Sequence, residues 1–248
     1  METRRAFQGG GYWMYPGSAP LQMSPYTTPD PRRSVLLTID VQRDFTNPGA
    51  IAEIPGTSAC VPAMRRVLDA YRQQRWPIVH VVRLYLADGT NVDLCRRDTI
   101  ASGSAMVRPR SLGSELVDPI KPNLDVRLDS DTLLAGGLQK LAENEWAMYK
   151  PRWDAFYGTP LEKHLHELGI TTVVVVGCNF PNCPRATIYG ASMRDFRAVL
   201  IADAVSGVYD QGLQELNGIG VATPQLEEYL SWLTAGSGPE PGTATGPR

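Results

Sequence analysis

The sequence predicts an α/β fold, a three-layer α/β/α sandwich in which helices cover both faces of a mainly parallel central sheet. Short continuous apolar runs, typical of buried parallel strands, recur along the chain; "SVLLTID" (34–40) and "TTVVVVG" (171–177) are the clearest. Amphipathic helical patterns separate these runs, and this alternation indicates parallel strands joined by helical crossovers. A chain of 248 residues is long enough for one large domain of this class.

The elements of the first half follow this alternation. The apolar run 34–40 ends in the carboxylate of Asp40, and apolar residues at helical spacing predict a helix over 58–75. "PIVHVVRLY" (77–85) predicts a second strand. Residues 86–130 are polar, irregular and too long for a simple connection, so we interpret them as a lid or an active-site insert.

The second half continues the pattern. "DTLLAGGLQKLAENE" (131–145) has helix-like spacing, weakened by Gly136 and Gly137, and "WAMYK" (146–150) predicts a short strand. The remaining predicted elements are a helix over 159–169, the strand 171–177, a helix from about Cys183, a strand over 198–205, a helix near 210–217 and another opening at "TPQLEEYL" (223–230).

We divide the chain into three parts. Residues 1–33 are rich in Gly, Pro, Tyr and Met and predict an irregular N-terminal arm, whose aromatic residues suggest packing on its own domain or on a neighbouring subunit. Residues 34–234 form the predicted domain. Residues 235–248, "AGSGPEPGTATGPR", have the composition of a disordered tail.

Composition narrows the function classes. With 43% hydrophobic residues, 20% charged residues and a net charge of −2, the chain has no basic surface signal for nucleic acid or an anionic membrane. No apolar run approaches the length of a spanning helix, and the N-terminus lacks the apolar segment of a secretory signal, so we expect a cytoplasmic protein. Four cysteines are too few for a disulfide scaffold, and we expect them to be reduced.

Reactive residues coincide with strand ends. Ligands of open parallel sheets bind beyond the carboxyl ends of the strands. Asp40 ends the first predicted strand, Arg83 and Tyr85 the second, and Lys150 the short strand, while the turn 177–183 follows the all-valine strand. We therefore expect an acid, a lysine and a cysteine to meet at one edge of the sheet.

Cys183 lies in "GCNFPNCPRA" (177–186), where the strand turns into a helix. A free cysteine is often only a small buried hydrophobe. Here the helix N-terminus and a nearby lysine favour the thiolate, and Asp40 is placed to take and return its proton. The cysteine spacings match neither a zinc site nor a C-x-x-C redox pair, and there is no serine-hydrolase elbow, P-loop or dinucleotide fingerprint.

Three separated motifs resemble those of the isochorismatase-like cysteine hydrolases, over roughly residues 34–222. They are "LLTIDVQRDF", "YKPRWDAFYGTPLEKHL" and "VVVVGCNFPNCPRATIYGASMRDFRAVLIADAVSG", in the order found in that family. The resemblance implies the isochorismatase-like hydrolase fold and a catalytic triad of Asp40, Lys150 and Cys183. It also implies a cis peptide between Cys178 and Asn179, with the backbone N–H groups of Asn179 and Cys183 forming an oxyanion hole. The bulky Phe180 and Pro181 depart from the usual turn of the family.

The resemblance further implies a small-molecule substrate, no cofactor and a homo-oligomer, a dimer or a tetramer. Nicotinamidases of this family carry an Asp/His/His metal site after the second strand; this chain has no histidine in "RLYLADGTNVDLCRR", so we expect no metal. Cys183 favours hydrolysis of an amide, carbamoyl (ureido) or lactam C–N bond through a thioester. The alternatives are vinyl-ether hydrolysis of the isochorismatase type and a non-catalytic binding protein. Candidate substrate contacts are Phe45, Arg83, Tyr85, Arg152, Trp153, Tyr157 and Phe180.

Overall fold

A computed structural model describes residues 24–235 of the chain. The strands are β1 Ser34–Ile39, β2 Ile78–Val82, β3 Leu138–Ala142, β4 Glu145–Tyr149, β5 Thr172–Gly177 and β6 Arg197–Val205. The helices are α1 Arg43–Thr46, α2 Thr57–Gln74, α3 Arg97–Ala101, α4 Ser130–Leu134, α5 Leu161–Glu167, α6 Cys183–Ser192, α7 Asp210–Gly218 and α8 Leu226–Ala235. Most of the predicted N-terminal arm and nearly all of the predicted tail lie outside the described residues.

The six strands form one sheet in the order β3-β4-β2-β1-β5-β6, with every neighbouring pair parallel except β3 and β4. Successive side chains of a strand point to opposite faces. Leu36 of β1 therefore belongs to a core with α2 and α8, whereas Val35 and Leu37 belong to a second core with α5, α6 and α7. Helices thus cover both faces of the sheet, and the predicted three-layer α/β/α fold is confirmed.

The predicted helix over 131–145 is wrong. Only Ser130–Leu134 is helical, and Leu138–Ala142 instead forms the antiparallel edge strand β3. Gly136 has φ +83°, a left-handed conformation that ends a helix and that glycine adopts without steric cost. The two glycines that weaken the helical pattern in the sequence are therefore the point where the chain changes from helix to strand.

A buried polar network crosses three strands of the sheet. Thr38 Oγ1 of β1 lies 2.8 Å from Nδ1 of His80 on β2, and His80 Nε2 lies 2.8 Å from Oε1 of Glu145 on β4. Arg72 of α2 donates to both Glu145 oxygens, at 3.0 and 2.7 Å. Because β1, β2 and β4 lead directly to Asp40, Arg83 and Lys150, this network fixes the alignment of the strands that present those side chains.

We expect this network to weaken in acid. Burial by itself raises the pKa of the Glu145 carboxyl, but hydrogen bonds and charge from His80 and Arg72 outweigh burial and lower that pKa from 4.5 to about 2. A depressed folded-state pKa stabilises the protein fully above the unfolded value, and this contribution is lost as the pH falls from about 5 towards 2. The expected loss in the free energy of unfolding is roughly 3 kcal/mol.

Urea unfolding at pH 6 and pH 2.5 would measure this loss. Glu145→Gln should be less stable at pH 6 and should show a shallower decline in acid than the wild type. Glu143→Gln is the matched control because Glu143 is exposed in the turn just before β4. A Glu145→Gln variant that kept the full acid dependence would contradict the assignment.

The predicted insert packs against the strand ends. Its backbone pairs with the segment after β1, since Arg43 N donates to Glu115 O at 2.9 Å and Val117 N donates to Val41 O at 3.3 Å. It contributes the buried Asp93 to the edge where Arg83 lies.

None of the helices within residues 24–235 is both long enough and apolar enough to cross a membrane.

Candidate active site

An ion pair between Asp40 and Lys150 lies at the carboxyl edge of the sheet. Lys150 Nζ donates to Asp40 Oδ2 at 2.8 Å, and both side chains are buried. Asp40 directly follows β1 with φ 55°, an uncommon conformation that turns the chain away from the strand. Asp40 Oδ1 has no well-formed hydrogen bond to any described residue and is therefore the oxygen free to accept a proton.

Cys183 is the first residue of α6 and is only 4% exposed. Burial, followed by the negative charge of Asp40, raises the pKa of its thiol, and Lys150 and Arg83 oppose this without cancelling it. The sequence-based expectation of a free thiolate is thus corrected, because desolvation of the buried sulfur and the charge of Asp40 outweigh the charge of the lysine. The site instead pairs a thiol with an adjacent carboxylate that is close enough to raise its pKa.

The turn between β5 and α6 contains the expected cis peptide between Cys178 and Asn179. Phe180 N donates to Ser206 O at 2.8 Å, which ties the turn to the end of β6. Within residues 24–235, the backbone N–H groups of Asn179 and Cys183 donate to no acceptor, so both are available to a ligand. Their assignment as an oxyanion hole stays a prediction.

The other cysteine of the turn has a structural position. Cys178 is buried, and its Sγ donates to the backbone carbonyl of Asp40 at 3.1 Å. Burial raises the pKa of this thiol well above its ordinary value. Just before it, Gly177 approaches β1 so closely that a Cβ would lie 2.3 Å from Ile39 O, so only glycine fits there.

Phe180 faces the core beside α7. Its ring makes an edge contact with Tyr209, with centroids 5.3 Å apart, and Arg185 lies over it at 5.8 Å. The side chain is fully buried in the core shared with α5, α6 and α7. Phe180 therefore anchors the nucleophile's turn, and we do not retain it as a wall of the substrate pocket.

Arg83 and Tyr85 follow β2, one and three residues beyond its end. Both are 1% exposed, and the Arg83 guanidinium lies over the Tyr85 ring at 5.7 Å. The insert adds Asp93, whose Oδ2 is 2.9 Å from Arg83 Nη2, although the angle there is not that of a hydrogen bond. It also adds Arg96, whose Nη1 donates to Tyr85 Oη at 3.0 Å.

A cavity of about 200 Å³ lies beside this group. Phe45 belongs to the same apolar cluster as Tyr85 and Cys178, and its role as a substrate contact stays a prediction. Every lining residue except Arg96 is apolar. The lining residues are Phe45, Ala52, Ile54, Arg96 and Met106.

The remaining substrate contacts predicted from the sequence are Arg152, Trp153 and Tyr157. Arg152 Nη1 donates to the carbonyls of Asn91 at 3.2 Å and Pro151 at 2.7 Å, so its guanidinium is partly used by the backbone. Trp153 and Tyr157 are 38% and 60% exposed. In the described part of the chain no hydrogen bond, ion pair or ring contact joins these three side chains to Asp40, Lys150 or Cys183. Their role in substrate binding stays a prediction.

Gln42 is a positioning residue to which sequence reasoning assigned no role. Its side chain donates to Arg83 O at 2.8 Å and Ser114 O at 2.7 Å, and its Oε1 accepts from Arg83 N at 2.7 Å. Gln42 therefore joins the end of β1, the end of β2 and the insert. The signal available in the sequence was a glutamine two residues after a strand-ending aspartate; the structure shows it to be buried, where an amide needs several partners.

The fold and the site define a class of protein: an α/β domain with an aspartate, a lysine and a cysteine at the carboxyl edge of its parallel sheet. The chain belongs to the isochorismatase family, since the isochorismatase domain pattern matches residues 34–220. This match covers all three motifs on which the resemblance was based. No group of three or more His, Cys, Asp or Glu side chains within residues 24–235 is arranged to hold a metal ion.

Relatives of the family support the assignment. A protein of Arabidopsis thaliana named a probable inactive nicotinamidase is 31% identical over 208 residues, covering 82% of this chain and 97% of that protein. The N-carbamoylsarcosine amidase of an Arthrobacter species is 25% identical over 227 residues, covering 87% and 78%. The crystal structure of an isochorismatase family protein from Desulfovibrio vulgaris aligns with a TM-score of 0.70 at 28% identity, covering 82% of this chain and 98% of that one.

Proposed function

We propose that this protein is a cysteine hydrolase that cleaves a C–N bond of a small molecule through a thioester. The observation that carries the proposal is the buried Lys150–Asp40 ion pair, 2.8 Å between Nζ and Oδ2, beside the Cys183 thiol at the start of α6. A thiol with an adjacent acid–base partner and a nearby cation is an arrangement that catalyses acyl transfer. The family relationship to an N-carbamoylsarcosine amidase supports the same reaction type.

In the first half-reaction the Cys183 proton passes to Asp40 as the sulfur bonds to the substrate carbonyl carbon. Oδ1 is the oxygen for this proton because Oδ2 is occupied by Lys150. The oxyanion is stabilised by the N–H groups of Asn179 and Cys183, with about 3 kcal/mol for each donor in comparable sites. The C–N bond then breaks, Asp40 gives its proton to the departing amine, and a thioester remains.

In the second half-reaction water attacks the thioester carbonyl. Asp40 takes a proton from the water, the S–C bond breaks, and the proton returns to the Cys183 sulfur. Lys150 stays in contact with Asp40 throughout, so each proton transfer occurs beside a fixed positive charge. The resting thiol suits this scheme, because burial raises its pKa and proton transfer to Asp40 produces the nucleophile only during attack.

A screen for released ammonia over small primary amides, ureido acids and lactam-ring compounds tests the reaction type. We expect turnover of at least one carbamoyl or amide compound, and mass spectrometry of acid-quenched enzyme should find the acyl group on the peptide that contains Cys183. An adduct mapped to any other residue would refute the proposed nucleophile.

The second candidate function is a non-catalytic binding protein of the same fold, favoured by the name of the Arabidopsis relative. It predicts ligand binding without any acyl adduct. Calorimetric binding of a compound from the screen, with no ammonia released and no adduct on the peptide that contains Cys183, would support this second function over the first.

A further inference from the structure

Val107, in the insert, has a backbone conformation that a β-branched residue rarely adopts. Its φ of 41° lies in the left-handed region, where Cβ crowds the backbone carbonyl oxygen. The side chain is fully buried, in the apolar cluster that contains Tyr85 and Cys178. Strained residues of this kind persist only where neighbouring contacts hold them, and they concentrate at functional sites. The contacts around Val107 therefore show what its conformation is for.

The carboxylate of Asp44 holds one side of Val107. Asp44 Oδ2 accepts from Val107 N at 2.6 Å, which is a short, charge-assisted hydrogen bond. On the other side, Val107 O accepts from Tyr85 N at 3.1 Å. Relaxation of φ to an ordinary value would reorient the N–H and the carbonyl relative to each other and break at least one of these bonds. The two partners therefore hold the left-handed conformation together.

Gly113 provides the space for the Asp44 carboxylate. A Cβ at position 113 would overlap both carboxylate oxygens, so a larger residue there would displace them. Asp44 belongs to the short helix α1 Arg43–Thr46, which lies close behind β1, whereas positions 107 and 113 belong to the insert. One carboxylate thus fastens the insert to the segment that follows the strand of Asp40.

The residues beside this contact line the cavity. Phe45 follows Asp44 and Met106 precedes Val107 in the chain, and both side chains line the cavity of about 200 Å³. The apolar cluster that includes these side chains also includes Cys178, in the turn that leads to the nucleophile. A displaced Val107 would therefore change the shape of this side of the site.

We propose that Asp44 is a positioning residue, which holds Val107 in its left-handed conformation and thereby fixes the insert against Tyr85 beside the active site. This inference rests on the proposed function, because the wall that Asp44 fixes matters only when a substrate binds beside Cys183. Within residues 24–235, no hydrogen bond or ion pair joins Asp44 to the Asp40–Lys150 pair. Loss of Asp44 should therefore act on substrate binding more than on the chemical step.

Hydrogen exchange followed by mass spectrometry tests the contact without a substrate. Asp44→Ala should raise the exchange rate of peptides covering residues 103–110 by about tenfold or more, because a charge-assisted hydrogen bond is lost. Asp44→Asn, whose amide oxygen can still accept from Val107, should raise the rate less. Asp125→Ala is the matched control, since Asp125 is an exposed aspartate of the same insert, and should leave the rate unchanged. Wild-type exchange in Asp44→Ala would overturn the proposal.

Substitutions of Val107 separate backbone strain from packing. Val107→Gly and Val107→Ala both remove the buried methyl groups, but only glycine adopts a positive φ without steric cost. In the Asp44→Ala background, the variant with Val107→Gly should therefore exchange severalfold more slowly over residues 103–110 than the variant with Val107→Ala. Equal exchange in the two double variants would show that Asp44 does not act by holding the left-handed conformation.

Gly113→Ala perturbs the same contact from the insert. Its Cβ should displace the Asp44 carboxylate and speed the exchange of residues 103–110, as Asp44→Ala does. In the Asp44→Ala background the added methyl group meets no carboxylate, so the double variant should exchange no faster than Asp44→Ala alone. Effects of the two substitutions that simply add would overturn the role of Gly113 in seating Asp44.

Kinetics then distinguish this inference from the proposed function. On a substrate from the ammonia screen, Asp44→Ala should raise KM by about tenfold and change kcat by less than about threefold, because Asp40, Lys150 and Cys183 are all retained. A loss confined to kcat would overturn the assignment of Asp44 to the substrate-binding side. A wild-type protein without turnover or an adduct at Cys183 would overturn the proposed function, while hydrogen exchange would still decide whether Asp44 holds Val107.

Discussion

Replacing Cys183 by alanine should lower kcat by more than about 10⁴-fold, because the variant has no atom that can form the thioester. The fold should persist, since the substitution removes one sulfur from the first turn of α6 and leaves the Asp40–Lys150 pair in place. Steady-state assays on a substrate from the ammonia screen, with thermal unfolding to verify folding, would measure both expectations. Cys183→Ser should be nearly as inactive, because a serine hydroxyl is much harder to ionise beside the same carboxylate.

Cys95→Ala is the control for this experiment. Cys95 is an exposed free thiol, so its loss should leave kcat unchanged. Full activity in Cys183→Ala, or a loss shared with Cys95→Ala, would show that the turn after β5 does not hold the nucleophile. Substrate binding by Cys183→Ala, measured by calorimetry, should remain close to the wild-type affinity.

Asp40→Asn should also lower kcat, by about 10³-fold or more, since the amide of the new side chain can neither accept the thiol proton nor return it to the departing amine. The same substitution should make the Cys183 thiol easier to ionise. The charge of Asp40 raises the pKa of Cys183, so its removal should move the midpoint of iodoacetamide alkylation to lower pH. From the sequence alone we would expect slower alkylation, because the base is lost; the buried geometry reverses this expectation.

Lys150→Met should shift the pKa of Cys183 in the direction opposite to that of Asp40→Asn. Lys150 lowers the pKa of Cys183, so its loss should move the alkylation midpoint to higher pH. Removing one partner of a buried ion pair typically costs about 3–5 kcal/mol, so thermal unfolding must accompany the measurement. Midpoints that moved in the same direction in both variants would be incompatible with the electrostatic arrangement described for the site.

Strand positions were predictable because they depend on local pattern. The apolar runs before Asp40 and Cys183 specify buried strands, and a parallel sheet then brings their carboxyl ends to one edge. The edge strand β3 was not predictable in this way, because its side chains are only partly buried and its spacing also fits a helix.

The protonation state of the nucleophile could not be read from sequence either. A helix terminus and a lysine both favour a thiolate, and neither reveals that the sulfur is 4% exposed with Asp40 beside it. The contact of Arg96 with Tyr85 also depends on how the insert packs back on β2. Eleven positions separate the two residues, and no periodic pattern in the insert relates them.

The packing of Phe180 against α7 has a consequence for how this sequence can drift. A Cβ at Gly212 would lie 2.3 Å from Cε1 of Phe180 and 2.9 Å from Cε2 of Tyr209, so a larger residue at position 212 requires that both rings move or become smaller. Positions 180, 209 and 212 are therefore expected to change together when this sequence diverges, although 32 positions separate the first from the last.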